Sequence, residues 1–461
     1  MKNDNLSRRR FLQLSAAMTG STLLAACAGA SAPGGGSDAS SDSTDSSASS
    51  DSAEQPAAEA VSMVYHSWTA EPEGNGEAIG IGLFAEANPD IDIEHRITPF
   101  GDYWKALLTD AGIGEPPDAY LMNNFNWQLY IDAGMGIDLA PAAAILDTPG
   151  TNVAEYIPSV VEGCKREGKL YGFPKAINGS AFIINKTLFD EVGVDVPPED
   201  RDWTYAEFEE AAAAMTDTES NVFGCNIATG HAWIPTFLFT LGGRYLDPDE
   251  HKFAEGYLNS EGNAEWVGWI KNLVDNGYQP APGGLDAFGG QVGGMIGGNI
   301  AVNHTDGFQQ VAQAMRADAP YEWSGARTPI PAEDVELKPH VALHGVMVPQ
   351  GVKDVSKAVE LAGFVNYGAG TDMDRPSKMS TRLDFAEKQA LTDYPHFRAL
   401  YDQVFADDVQ VHEGAFITHV DILGEEWTQM MERVILNDMD VMESLNIAAA
   451  NFDKRVAEKE A

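Results

Sequence analysis

Val61-Ser-Met-Val-Tyr65 alternates along the chain as a short strand with one buried face. Gly80 to Asn88 carries apolar residues at helical spacing and stops at Asn88-Pro89. Ile91-Asp-Ile-Glu-His95 alternates again, Tyr103 to Ala111 reads as a helix ending at Gly112, and Ala119-Tyr-Leu-Met122 is a strand after Pro116-Pro117. Phe182 to Ile184 is the next strand and Lys186 to Val192 a short helix. Thr204 with Glu207 three residues on is a capping box, and the helix continues through Ala211 to Met215. Trp266 to Val274 is helical up to Asn276-Gly277, Val341 to Val348 is a strand, and Ser356 to Tyr367 is a helix closed by Gly368. From Glu425 to about Val456 apolar residues recur at helical spacing. Strands alternating with helices predict an α/β fold with a largely parallel sheet, and no internal repeat is visible.

The chain has 461 residues, so two or three folding units are expected. It holds 70 acidic residues against 29 Lys plus Arg, a net charge of -41. Nucleic acid is excluded as a general partner, because a phosphate backbone needs a positive footprint. Three cysteines are too few for a disulfide scaffold. Cys164 and Cys225 could pair with each other or remain buried thiols.

The basic residues that do occur are informative at the start. Lys2, Arg8, Arg9 and Arg10 precede a mildly apolar stretch from Phe11 to Leu24, and residues 1–26 read as a secretory signal. Ser7-Arg8-Arg9-Arg10-Phe11-Leu12-Gln13 resembles a twin-arginine export signal. Leu24-Ala25-Ala26-Cys27 resembles a bacterial lipobox, which implies lipid on Cys27 and attachment at the outer face of the cytoplasmic membrane. Residues 27–60 hold ten Ser and six acids, with no Lys or Arg. Such a segment is expected to be a disordered tether reaching about 30 Å. Residues 61–461 then carry about -38, a charge that favours solubility.

No catalytic constellation emerges. G-x-x-x-x-G-K-[ST], H-E-x-x-H and G-x-S-x-G are all absent. The Gly-rich run Gly283 to Gly298 lacks a following Lys-Ser/Thr and reads as a mobile connection between helices. His340 and His344 sit four apart on a predicted strand with no third ligand in view, so no metal or cofactor is expected.

The body does resemble a known family. Tyr65-His-Ser-Trp68, Asn88-Pro-Asp-Ile-Asp-Ile-Glu94, Pro117-Asp118-Ala119-Tyr120 and Gly168-Lys-Leu-Tyr-Gly-Phe-Pro-Lys175 follow in order. Ile184-Asn-Lys186, Leu188-Phe189-Asp190, Trp203-Thr204 and Gly242-Gly243 continue the series. This run is similar to the family 1 extracellular solute-binding proteins, the maltose-binding-protein-like receptors of ABC importers. The family's Phe-x-x-Gly-Lys-x-Ala-Met segment is here Met295-Ile-Gly-Gly298-Asn-Ile-Ala301-Val302, and its later Gly-x-Trp becomes Asp306-Gly307-Phe308.

The resemblance implies a two-lobed periplasmic-binding-protein-like fold with discontinuous lobes and a hinged cleft. Residues 61–175 plus 322–368 would form the first lobe, and 176–321 plus 369–461 the second. The expected role is a monomeric, cofactor-free, non-enzymatic receptor that delivers a carbohydrate to permease subunits. A polyol, glycerophosphodiester or peptide ligand is the alternative, as is a sensor role.

A sugar presents hydroxyls at its rim and C–H groups on its faces, so its site needs planar rings beside amide, carboxylate or imidazole groups. Trp68 follows the first strand and faces either the cleft or the core. Asn123, Asn124 and Asn126 beside an exposed Trp127 make the densest candidate loop. The resemblance adds Asn178 at the first crossover and His304, Thr305 and Asp306 in the ligand loop. His231 and Trp233 fall on a second-lobe loop, and Arg382 completes the set, with pairing to a nearby acid as its other reading.

Overall fold

The computed structural model describes residues 61–68, 76–198, 201–305, 319–371, 379–390, 395–404, 410–411 and 416–461. The signal, Cys27 and the tether lie outside the described residues. Thirteen strands occur among the described residues. They are β1 (Val61–Ser67), β2 (Ile91–Ile97), β3 (Ala119–Asn123), β4 (Lys165–Arg166), β5 (Lys169–Leu170), β6 (Gly172–Gly179) and β7 (Ala181–Asn185). They continue with β8 (Phe223–Asn226), β9 (Ile300–Thr305), β10 (Trp323–Ala326), β11 (His340–Met347), β12 (Met379–Ser380) and β13 (Gln410–Val411).

Two main sheets and two cores result, and β4 pairs with β5 in a separate two-stranded ribbon. The first sheet runs β12-β6-β11-β3-β1-β2, with β13 added on β11. The second runs β10-β7-β9-β8. One core gathers Tyr65, Phe84, Tyr103, Trp127, Phe173, Leu343 and Val365. The other gathers Phe182, Trp203, Phe208, Phe237, Trp266 and Trp427.

The expected sheet is only partly parallel. β1 pairs in parallel with β2 and β3, but β11 is antiparallel to both β3 and β6. In the second sheet β7 is antiparallel to β9 and β10. The reason is the crossover: β11 arrives from the second sheet and inserts between strands already laid down.

The lobe limits shift for the same reason. β6 stays in the first sheet to Gly179, beyond residue 175, and Ser180 alone separates it from β7. β10 hydrogen-bonds to β7, so the return to the first sheet comes at β11 and not at residue 322. β12 and β13 also pair with the first sheet, although they fall within residues 369–461, expected in the second lobe. Apolar period fixes which face of a strand is buried; it carries no information about which edge the strand will join.

Local signals explain most element ends. Glu207 N donates to Thr204 Oγ1 at 3.2 Å while Thr204 N donates to Glu207 Oε2 at 2.7 Å, completing the capping box. The helix Phe100–Ile113 passes Gly112, because Gly114 (φ 83°) provides the left-handed cap. The helical run after residue 420 is two helices, Val420–Asn437 and Val441–Glu460. Asp438 turns left-handed at φ 53°, and Asp440 Oδ1 caps the second helix by accepting from Glu443 N at 2.9 Å. The Gly-rich run contains a 3-10 turn, Asp286–Phe288, and a helix, Gly290–Ile296.

Gly368 does not end its helix, which runs Val355–Thr371. It lies against Gly80 of the helix Gly76–Ala87, and a Cβ on either glycine would fall on the other helix's backbone. Small residues are what let these two helices cross in contact.

Two outcomes follow from this packing and charge. Gly368→Ala should cost about 3 kcal/mol in urea unfolding, as overpacking between two backbones. Raising NaCl from about 0.05 M to about 1 M should raise the melting temperature, because it screens the self-repulsion of the acidic body. A melting temperature that falls or stays constant contradicts this.

Candidate functional site

The carboxyl ends of β1, β2 and β3 lie side by side, and β11 and β6 bring His344 and Asn178 to the same end of the sheet. Asn123 faces His344, and Asn178 faces Ala342 two residues earlier on β11. Strand pairing thus assembles one edge from five separated segments.

Trp68 leaves β1 here. Its ring is 5.6 Å from the Phe100 ring, 5.1 Å from Tyr103, 5.3 Å from Trp104 and 5.6 Å from His344. It is partly buried, one member of an aromatic wall. Asn123 is spent locally: its Oδ1 accepts from Asn126 N and from Asn126 Nδ2, both at 3.1 Å, and so caps the 3-10 turn Asn124–Asn126. Asn124 is buried, and neither its Oδ1 nor its Nδ2 has a hydrogen-bond partner. Asn178 is 6% exposed and its Oδ1 is likewise unpartnered. Leaving such groups unpaired costs on the order of 1–3 kcal/mol each.

Trp127 corrects the sequence reading. It is wholly buried, with its ring packed over Gly172 and Gly345, where no Cβ would fit. The apolar fill of the sheet claims this ring and leaves no free face for a ligand.

Across the cleft, the His231 ring stands 6.2 Å from Phe125 and 6.4 Å from Tyr245, and burial lowers its pKa to about 4. Trp233 is 40% exposed and lines a cavity of about 230 Å³ with Asn226, Thr229, Gln279, Asp286 and Gln291. The cavity joins a ring face to a carboxylate and amides, the mixture a polyhydroxylated ligand requires.

His304 and Arg382 are committed elsewhere. His304 is buried, with Nε2 2.9 Å from Ser180 Oγ and its ring between Phe182 and Phe237. Arg382 donates to Asp384 Oδ1 at 2.8 Å, pairs with Glu155 at 2.6 Å and lies over the Tyr367 and Phe385 rings. Asp306 lies outside the described residues.

Sequence reasoning missed Phe125, Asp286 and Gln291, and it left Lys175 without a partner. Lys175 is held by the buried Glu77, whose other oxygen lies 3.7 Å from His95 Nε2. His95 Nε2 in turn sits 2.9 Å from Ser67 Oγ. Nothing in local pattern links residues this far apart. Cys164 and Cys225 are free thiols in separate cores, which settles the pairing question against a disulfide. Among the described residues no group of three His, Cys, Asp or Glu could hold a metal, and no helix is long and apolar enough to cross a membrane.

Two lobes, a crossover region and a polar-aromatic cleft define a two-lobed solute-binding architecture. The bacterial extracellular solute-binding protein family matches residues 83–399, and the chain belongs to that family. Its structure is similar to an ABC substrate-binding protein from Listeria monocytogenes in complex with cycloalternan, with TM-score 0.73, 21% identity, and coverage of 86% of this chain and 99% of that one. It is also similar to an ABC transporter solute-binding protein from Thermotoga lettingae bound with α-D-tagatose, at TM-score 0.69, 19% identity and 86% and 99% coverage. A third is the sugar-binding protein MalE from Xanthomonas citri, at TM-score 0.70, 16% identity and 87% and 98% coverage.

The buried histidines fix a pH response. Burial lowers the pKa of His304 from 6.5 to about 3 and, as the largest cause, that of His66 from 6.5 to about 4. Both are neutral in the fold but gain a proton in the unfolded chain below about pH 6.5. Stability should therefore fall as pH drops from about 6.5 towards 4, by up to about 1.4 kcal/mol per pH unit from His304, with His66 acting in the same direction. Urea unfolding at pH 7 and pH 5 checks this, and equal stability at both would contradict it.

Proposed function

We propose that this protein is the extracytoplasmic receptor of an ABC importer and that it captures a neutral carbohydrate. The observations that carry the reading are the partly open ring of Trp68, the exposed ring of Trp233 beside the amides and carboxylate of its cavity, and the unpartnered polar atoms of Asn124 and Asn178. The cations described near it are already neutralised, Lys175 by Glu77 and Arg382 by Glu155 and Asp384. An anionic ligand would meet the field of a strongly acidic body with no such charge to receive it. The cycloalternan and tagatose bound by two similar structures support a carbohydrate.

Ligand held between the lobes stabilises the closed form through contacts that only that form makes, and the permease reads the closed shape. The protein needs no cofactor for this and performs no chemistry. Lipid on Cys27, with residues 27–60 as tether, would keep the monomeric receptor near its permease at the outer face of the membrane, after export directed by residues 1–26.

The test is a thermal-shift screen of the full chain against saccharides, polyols, peptides and phosphate esters. A saccharide at about 100 times its Kd should add about 2.7 kcal/mol of stability. Trp68→Ala and Trp233→Ala should each weaken that saccharide about tenfold or more, while Trp127→Ala should lower stability by about 4 kcal/mol through loss of core. A shift with a phosphate ester or peptide alone would discard the carbohydrate assignment, and turnover of a glycoside would discard the receptor role.

A further inference from the structure

The chain passes between the lobes at Ser180, between β6 and β7, and again between β10 and β11, where Thr328 lies. The helix Pro395–Val404 packs against β10, β7 and β6, strands of both sheets, before the chain turns to the second core. Its Leu400 side chain occupies the space a Cβ on Gly179 would need.

Four buried polar side chains join these passages. Ser180 Oγ lies 2.9 Å from His304 Nε2, at the end of β9. Thr328 Oγ1 lies 2.9 Å from Ser180 Oγ and 3.2 Å from Gln403 Oε1, on the packed helix. Gln403 Nε2 donates to Ala399 O at 3.0 Å. All four side chains are buried. With the imidazole proton on Nε2, one consistent direction is open: His304 donates to Ser180, Ser180 to Thr328 and Thr328 to Gln403, while the His304 Nδ1 lone pair is without a partner. Thr328 Oγ1 also lies 3.1 Å from Ser180 O. Burial keeps the imidazole neutral, as this relay requires.

We propose that Ser180, Thr328, Gln403 and His304 form an interlobe latch that holds the lobe orientation seen here and so sets ligand affinity. These are positioning residues, since none needs to touch ligand. Rotation of one lobe on the other changes backbone angles at both crossovers, and a relay spanning the two must lengthen or break as they turn. Buried hydrogen-bonded networks favour one arrangement strongly because a half-made network leaves desolvated groups unpaired. The affinity part of this inference rests on the receptor reading above; the orientation part does not.

The test uses the full chain with Cys27→Ser, Glu86→Cys and Glu458→Cys, the last two in exposed helices of opposite lobes and carrying spin labels. Cys164 and Cys225 are buried and escape labelling. Ser180→Ala, Thr328→Val and Gln403→Leu should each shift the ligand-free interlobe distance in the same direction by about 2 Å or more. Each should also change the Kd for the saccharide found in the screen by about threefold or more, all three with the same sign. Thr328→Ser keeps the hydroxyl and should restore both readouts. The pair Ser180→Ala with Thr328→Val should act as one change and not as the sum of two. Unmoved distances in folded variants, or shifts of opposite sign, overturn the latch. If Thr328→Val fails to fold, Ser180→Ala, which removes a single oxygen, carries the same test. Because distances are read without ligand, failure to bind any saccharide would count against the receptor reading and leave the latch to be judged separately.

Discussion

The pairing of β11 between β3 and β6 is the constraint on which the rest of the molecule depends. His344 pairs with Asn123 on one side and Ala176 on the other, and Met347 pairs with Tyr120 and Gly172. The partners on β3 are more than 200 residues away in sequence. A strand that returns across such a span has to leave the second sheet first, so the lobes cannot be independent units. The crossovers, the cleft between the lobes and the buried relay at their junction all follow from that one insertion. Closing the span costs less than its length suggests, because loop entropy grows only with the logarithm of length.

Packing around this sheet assigns the aromatic residues their work. Trp127 fills the space over Gly172 and Gly345 and is lost to the cleft. Trp68, at the same edge, rests against Phe100, Tyr103 and Trp104, which fixes its plane while leaving it partly open. One ring fills the core of the lobe and the other is oriented at its edge. The glycine contact between Gly80 and Gly368 brings two helices onto the same lobe without side chains between them. Glu77, on the first of those helices, thereby reaches Lys175 of β6. A buried pair of this kind gives little net stability, yet removing one partner leaves a stranded charge.

The surface and the interior obey opposite electrostatic rules. Outside, acids outnumber bases more than two to one and keep the protein soluble by repulsion. Inside, the ionisable groups are paired or neutral: Glu77 with Lys175, His304 uncharged against Ser180, the two thiols protonated because burial raises their pKa well above the ordinary value. A cavity that joins a ring face to amides and a carboxylate, in an acidic body, suits a ligand recognised by hydroxyl groups and ring faces.

The sequence alone determined the local elements. The capping box at Thr204 and Glu207, the strands at Val61 and Ala119 and the short helix Lys186–Val192 depend on neighbours a few residues apart, and period and turn chemistry read those directly. The ordered motifs from Tyr65 to Gly243 also carried the family and its two-lobed fold. What only the tertiary structure decided was every property set by residues distant in sequence. Trp127 and Trp68 look alike in the chain, and only the facing glycines make one of them core. Gly368 reads as a helix end until Gly80 is placed against it. His304 reads as a ligand residue until Ser180 meets it at the crossover. Strand membership in the two sheets, the pairing of Lys175 with Glu77 and the separation of the two cysteines belong to the same class. Local pattern encodes which face of an element is apolar; the partner that covers that face is chosen by contacts across hundreds of residues, which a one-dimensional reading does not contain.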